Sequence, residues 1–250
     1  MKIPLEDTAA DVVGKASRGL GVEVAVDAEN DVSLRAAAAR LGLGADALVA
    51  LARGHYSPAD PGAIDGLAWF NTPFNDMTVN SFVVFDPETR AAAAFDTGTD
   101  CSDMLAMDVR IEQVFLTHVH GDHVFEFDRL VEKTRAKAWV SDREPFDGAQ
   151  PFEDGREFRI GSLRVRTVRT SGHARGGVTY LIDGLSRPLA IVGDALFAGS
   201  MGGGMVSFEE ALRTNRENLF TLPDDTVVCP GHGPLTTIGE EKKHNPFFAR

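Results

Sequence analysis

Three histidines and an aspartate, His118, His120, Asp122 and His123, fall within six residues directly after the apolar run QVFL. The whole chain holds only 7 His, and gathering imidazoles in one place has no packing benefit. Neutral imidazole nitrogens and carboxylate oxygens are the ligands that zinc and non-haem iron prefer. In an extended segment leaving a strand, side chains alternate, so His118 and His120 project to the same side. A turn at Gly121 then brings Asp122 and His123 toward a second metal position. Three more residues sit in matching contexts: His173 after LRVRTVRTSG, Asp194 after LAIVG, and His232 in CPGHGP after TVV. Each is a weak signal alone; together they complete the ligands that two metal ions need. Cys101 and Cys229 are the only cysteines, too few for a thiolate cage or a disulfide scaffold. Any metal must be held by His and carboxylate.

Ligands at strand ends require strands. From Val79 onward, VNSFVVFD, AAAAFDTG, QVFLTH, KAWVS, LRVRTVRTSGH, VTYLID, LAIVGD and TVVCPGH are runs of strand length, most ending in Asp, Gly or His. Helical stretches fall at about 101–108, 124–135 and 207–221. Strands and helices alternate without a regular βαβ period, which predicts an α/β (α+β) layering of buried strands with helices outside. Residues 1–66 are different: Ala-rich, with Leu34, Ala38, Leu41, Leu48 and Leu51 at helical spacing and Gly42 and Gly44 between the two groups. That predicts a short helix pair, a helical extension over 1–66 ahead of a domain over 67–250. Its Ala/Leu face is expected to pack or to form a homodimer.

With 43% hydrophobic residues the chain can build a core, which excludes a disordered tail. Lys+Arg number 25 against 37 Asp+Glu, a net charge of -12, so nucleic acid and anionic membranes are not expected partners. The extension is itself acidic, against a DNA-reading role. The start MKIPLEDTAADVV has no signal-peptide pattern, and no run reaches about 18 apolar residues. A cytoplasmic protein acting on a small molecule is the expectation.

THVHGDH at 117–123, SGH at 171–173, GD at 193–194 and the tail PGHGPLTTIGEEKKHNPF at 230–247 resemble the metallo-β-lactamase superfamily, and within it the glyoxalase II (hydroxyacylglutathione hydrolase) group. The resemblance runs from about Phe70 to Phe248 and implies an αββα sandwich with two metals at one edge. By it, His118, His120 and His173 hold the first metal, Asp122, His123 and His232 the second, and Asp194 bridges them. Asp96-Thr97-Gly98 resembles the family's turn beneath the metal loop, with Asp96 orienting a ligand through hydrogen bonds. The chain departs from the pattern at His173-Ala174-Arg175-Gly176-Gly177, where relatives carry Thr and Pro-Gly-Ser. It also has AGSMGGGM at 198–205 where a Gly-Arg-Thr-Asp-like segment is common, and its extra helices stand at the N-terminal end. Residues 1–66 resemble a worn helix-turn-helix found ahead of this domain in some bacterial homologues.

Two divalent cations, zinc first and iron or manganese next, would lower the pKa of a shared water from about 15.7 toward 7. That gives a bridging hydroxide nucleophile, oriented by Asp122, while one metal polarises the substrate carbonyl. A thioester suits the site because a thiolate leaves without a strong general acid. The competing enzyme reading is a persulfide dioxygenase with one iron on His118, His173 and Asp194; a lactonase is a further alternative. A non-enzymatic sensory module conflicts with the intact ligand set. Gly202, Gly203 and Gly204 are expected to form a mobile lid, Cys101 and Cys229 to be buried thiols, and His55 and His244 to lie in loops or on the surface. Arg175, Lys242 and Lys243 are the cations that could meet an anionic substrate.

Overall fold

The computed structural model describes residues 3–249. Two six-stranded sheets lie face to face. The first runs in sequence order: β1 (Leu67–Phe74), β2 (Met77–Phe85), β3 (Ala91–Phe95), β4 (Arg110–Phe115), β5 (Lys137–Ser141) and β6 (Gln150–Phe152). The second is ordered β12 (Thr236–Thr237), β11 (Val227–Pro230), β10 (Leu189–Gly193), β9 (Val178–Asp183), β8 (Leu163–Arg169) and β7 (Glu157–Ile160).

The strand β2 shows why the sheets stack. Phe82 and Val84 point into the core between the sheets, with Phe95, Phe115, Tyr180 and Ile191, while Val83 and Phe85 point to the opposite face. A strand apolar on both faces must be covered twice. The outer face of the first sheet is covered by α4 (Ser102–Ala106) and α6 (Phe127–Thr134), through Met104, Phe127 and Leu130. Beyond the second sheet lie α7 (Phe208–Asn218) and α8 (Ile238–His244), with Leu219 and Ile238 buried against Leu181 and Val192. The result is the expected αββα layering.

The extension holds three helices where the pattern predicts two: α1 (Ala9–Leu20), α2 (Asp31–Leu41) and α3 (Ala45–Ala52). The extra helix begins with a capping box, Thr8 and Asp11 satisfying each other's backbone donors. The Ala/Leu face, expected to pack or to meet a second copy, packs within the chain. Leu34, Ala38, Leu48 and Leu51 share one cluster with Ala198, Met201, Phe208 and Phe247 of the sandwich. Gly44 permits this: its N–H donates to the Pro246 carbonyl at 2.7 Å, and a Cβ there would lie 2.6 Å from the Ala249 carbonyl. Among the described residues, no helix is long and apolar enough to cross a membrane.

Strands β1, β6, β7 and β12, the first residues of β2, and helix α8 escape the sequence pattern. β1 contains Pro73 and polar Asn71 and Thr72, tolerable because it is an edge strand paired only with β2. β12 spans two residues, too short for any periodicity.

Candidate metal centre

All seven residues singled out for metal binding converge at one edge of the sandwich. One ligand atom each from His118, His120, His173 and Asp194 lies within 4.8 Å of the others, and the same holds for Asp122, His123 and His232. Asp194 stands between the groups. Its Oδ2 is 3.3 Å from His173 Nε2 and 3.4 Å from His232 Nε2, and its Oδ1 is 3.2 Å from His123 Nε2. His118, His123 and His232 are buried, whereas His120 and His173 are half-buried and form the approachable front.

The sequence builds this edge by ending strands there. β4 runs out at Phe115, and the next residues pass the two sheets' rim before Gly121–Val124 makes one short helical turn (α5). His173 follows β8, Asp194 follows β10 and His232 follows β11.

The outer ring nitrogens fix the tautomers. His123 Nδ1 donates to Asp96 Oδ2 at 2.7 Å, His173 Nδ1 to the Gly203 carbonyl at 2.9 Å, and His232 Nδ1 to the Thr78 carbonyl at 2.7 Å. The Thr117 hydroxyl donates to Asp96 Oδ2 at 2.7 Å, so it can only accept from His118 Nδ1 at 3.0 Å. Each of these four rings therefore keeps a proton on Nδ1, pointing outward, and turns Nε2 inward, which in the neutral ring is a bare lone pair. His118 Nε2 and His173 Nε2 both lie 3.0 Å from His120 Nδ1, acceptors facing a nitrogen with at most one proton to share. Buried His123 Nε2 and Asp194 Oδ1 have no hydrogen-bond partner. Converging lone pairs and orphaned buried polar atoms fit a pair of cations and would otherwise be costly.

The electrostatics divide the site. Burial, reinforced by His123, holds His118 well below the ordinary imidazole range, and burial likewise lowers His173. Burial would also depress His123 and His232, but carboxylates overrule it. Asp96 and Asp194 push His123 up to about 10, and Asp194 and Asp122 push His232 up to about 11. Asp194 is held well below the usual carboxylate range because His232 and His123 outweigh its desolvation. The second group thus demands positive charge, which a proton or a metal ion can supply.

Asp96 carries the orienting role expected of it. Besides His123 and the Thr117 hydroxyl, its Oδ1 accepts the Thr117 N–H at 2.7 Å. Three donors compensate its left-handed backbone, φ 54°. Sequence reasoning missed the carbonyls of Thr78 and Gly203, because a backbone oxygen has no residue-type signature. The Thr117 relay was visible in principle, as a hydroxyl between an Asp-Thr-Gly turn and the first ligand.

Gly202-Gly203-Gly204 is not the expected lid. The Gly202 N–H donates to the Asp194 carbonyl at 3.0 Å, and a Cβ on Gly202 would lie 2.0 Å from that oxygen and 2.8 Å from His173 Nδ1. The glycines let a packed strap pass between two ligands. Cys101 is a buried thiol bonded to Glu126, pushed up to about 11 by burial, and Cys229 is buried at the end of β11. His55 is exposed, but His244 stacks on Tyr56 at 5.0 Å. Lys242 is engaged with Asp224 at 2.6 Å, while Arg175 and Lys243 are exposed.

Known proteins are similar to this chain in sequence and fold. The ETHE1 structure from Myxococcus xanthus superimposes with a TM-score of 0.63 at 29% identity, covering 72% of this chain and 83% of that one. A probable metallo-hydrolase of Streptococcus pyogenes is 30% identical over 193 residues, 64% of this chain and 82% of its own length. The hydroxyacylglutathione hydrolase GloC of Haemophilus influenzae is 26% identical over 205 residues, 70% of this chain and 95% of that protein. The sequence profile of the metallo-β-lactamase superfamily matches residues 75–232, more than half of the chain and all seven clustered residues. With the sandwich and its histidine edge, that match makes this chain a member of the metallo-β-lactamase superfamily.

Proposed function

We propose that the protein is a metal-dependent hydrolase with a dinuclear site, acting on a thioester in the manner of the hydroxyacylglutathione hydrolases. The observation that carries this reading is the set of inward lone pairs: four Nε2 atoms with their protons pinned outward, grouped around an Asp194 that reaches both halves. His118, His120 and His173 would hold one ion, Asp122, His123 and His232 the other, and Asp194 both. Such ions, zinc first and iron or manganese next, supply Lewis acidity and a water acidic enough to attack a carbonyl at neutral pH.

The chain's own residues prepare that chemistry. Asp122 Oδ2, 3.3 Å from His232 Nε2, places an acceptor beside the reaction locus that can orient an attacking water. Half-buried His120 and His173 form the solvent-facing side of the cluster, while the buried rings behind them exclude bulk water. With the seven clustered residues committed to the ions, none of the rings would be left to protonate a poor leaving group, which favours a thiolate. The GloC relative supports the thioester.

A persulfide dioxygenase is the second reading, favoured by the likeness to ETHE1. Elemental analysis with parallel assays separates them. About two metal ions per chain and turnover of acyl thioesters, with and without a glutathione moiety, are expected. About one iron per chain with oxygen consumption on a persulfide would overturn the hydrolase reading.

A further inference from the structure

The tail singled out in the sequence does more than follow the last ligand. Glu241 is wholly buried, and its carboxylate takes four donors. Tyr56 Oη at 2.6 Å and Thr236 Oγ1 at 2.8 Å donate to Oε1, and Asn245 Nδ2 at 2.8 Å and the Gly199 N–H at 2.9 Å to Oε2. An ionised carboxylate has acceptor sites for all four; a glutamine would turn its own N–H groups against two of them. Asn245, also wholly buried, donates in addition to the Ser200 carbonyl at 2.8 Å.

Both residues therefore grip segment 197–203, the strap between Asp194 and His173. The extension grips the same segment at Ser200 and Met201. Ser200 Oγ donates to Asp7 at 2.5 Å, Lys15 pairs with Asp7 and donates to the Met201 carbonyl at 3.0 Å, and Tyr56 enters through Glu241. The first described residues also seat on the other half of the site: a Cβ on Gly233, next to His232, would lie 3.3 Å from Glu6 N. Apolar packing alone would attach the helices anywhere along a greasy face; these hydrogen bonds fix them to the backbone that aims one ring and one shared carboxylate.

We propose that residues 3–56 brace the His173–Asp194 side of the metal centre, with Tyr56 and Glu241 as positioning residues that govern retention of the ion held by His118, His120 and His173. The proposal rests on the dinuclear reading above. The test dialyses metal-loaded wild type, Tyr56→Phe, Glu241→Gln, Ser200→Ala and Leu34→Ala against graded chelator and measures ions per chain. Tyr56→Phe and Glu241→Gln are expected to release one ion at roughly tenfold lower chelator, with the other ion's midpoint unchanged. Leu34→Ala empties a buried position of the extension without touching the polar ties, so it should lower Tm and keep both midpoints. If Glu241→Gln does not fold, Tyr56→Phe and Ser200→Ala carry the same readout. Midpoints within about twofold of wild type in the polar variants, or equal selective release from Leu34→Ala, overturn the brace. Wild type that holds no metal overturns the dinuclear reading with it, whereas two retained ions and unmoved variants overturn the brace alone.

Discussion

The two halves of the metal edge are held by different means. The half from the first sheet, His118 to His123, is contiguous in sequence and hangs on one side chain: Asp96 orients His123 directly and His118 through Thr117. The half from the second sheet takes His173, Asp194 and His232 from three strand ends, and its rings are held by backbone carbonyls of distant segments, Gly203 and Thr78. One half is therefore sensitive to a single carboxylate, the other to the placement of whole loops. Asp194 joins them, its carboxylate 3.2 Å from His123 of the first half.

Substituting the joint should erase the difference. Asp194→Asn keeps the volume and removes the charge that both groups face, so both ions are expected to weaken and activity to fall by roughly a thousandfold, on the order of 4 kcal/mol in the barrier. Loss of a single ion with the second at wild-type affinity, by elemental analysis, would show that Asp194 serves one ion only.

Asp96→Asn probes the contiguous half. The amide fits the left-handed backbone but cannot accept from Thr117 and His123 as the carboxylate does. Losing the partner that orients a ligand ring is expected to weaken metal binding by about 10–100-fold. Both His118 and His123 depend on the hub, so competition with a chelator should show two shifted midpoints. An unshifted profile would mean that the imidazoles are aimed by packing alone.

What was legible in the sequence follows the same division. The cluster from His118 to His123 announces itself because its ligands are neighbours, and His173, Asp194 and His232 are readable as polar residues ending apolar runs. Their support is not. Gly203 and Thr78 act through carbonyls that every residue owns, and the glycines at 202–204 look flexible until the approach of Asp194 and His173 to Gly202, and of Phe208 to Gly204, shows why neither of those two positions tolerates a Cβ. The layering was readable from β-branched runs; the attachment of the extension was not, since an Ala/Leu face covers its own domain or a second copy equally well. Here Met201, Phe208 and Phe247 cover it.

Gly202→Ala gives the smallest of these effects and the sharpest contrast. Its new methyl would meet the Asp194 carbonyl at 2.0 Å, so the strap must move away and take the Gly203 carbonyl from His173 Nδ1. Overpacking of this kind costs about 1–3 kcal/mol of stability. Of the residues assigned to the second ion, His123 and its support from Asp96 lie on the other sheet, and Asp194 meets the strap only through its backbone carbonyl, so the ion on Asp122, His123 and His232 should shift less than the first, which weakens by about tenfold. A chelator titration with Tm measured on the metal-free protein separates the two costs. Equal weakening of both ions would mean that displacement of the strap travels through Asp194, and the two halves would then have to be treated as one rigid unit.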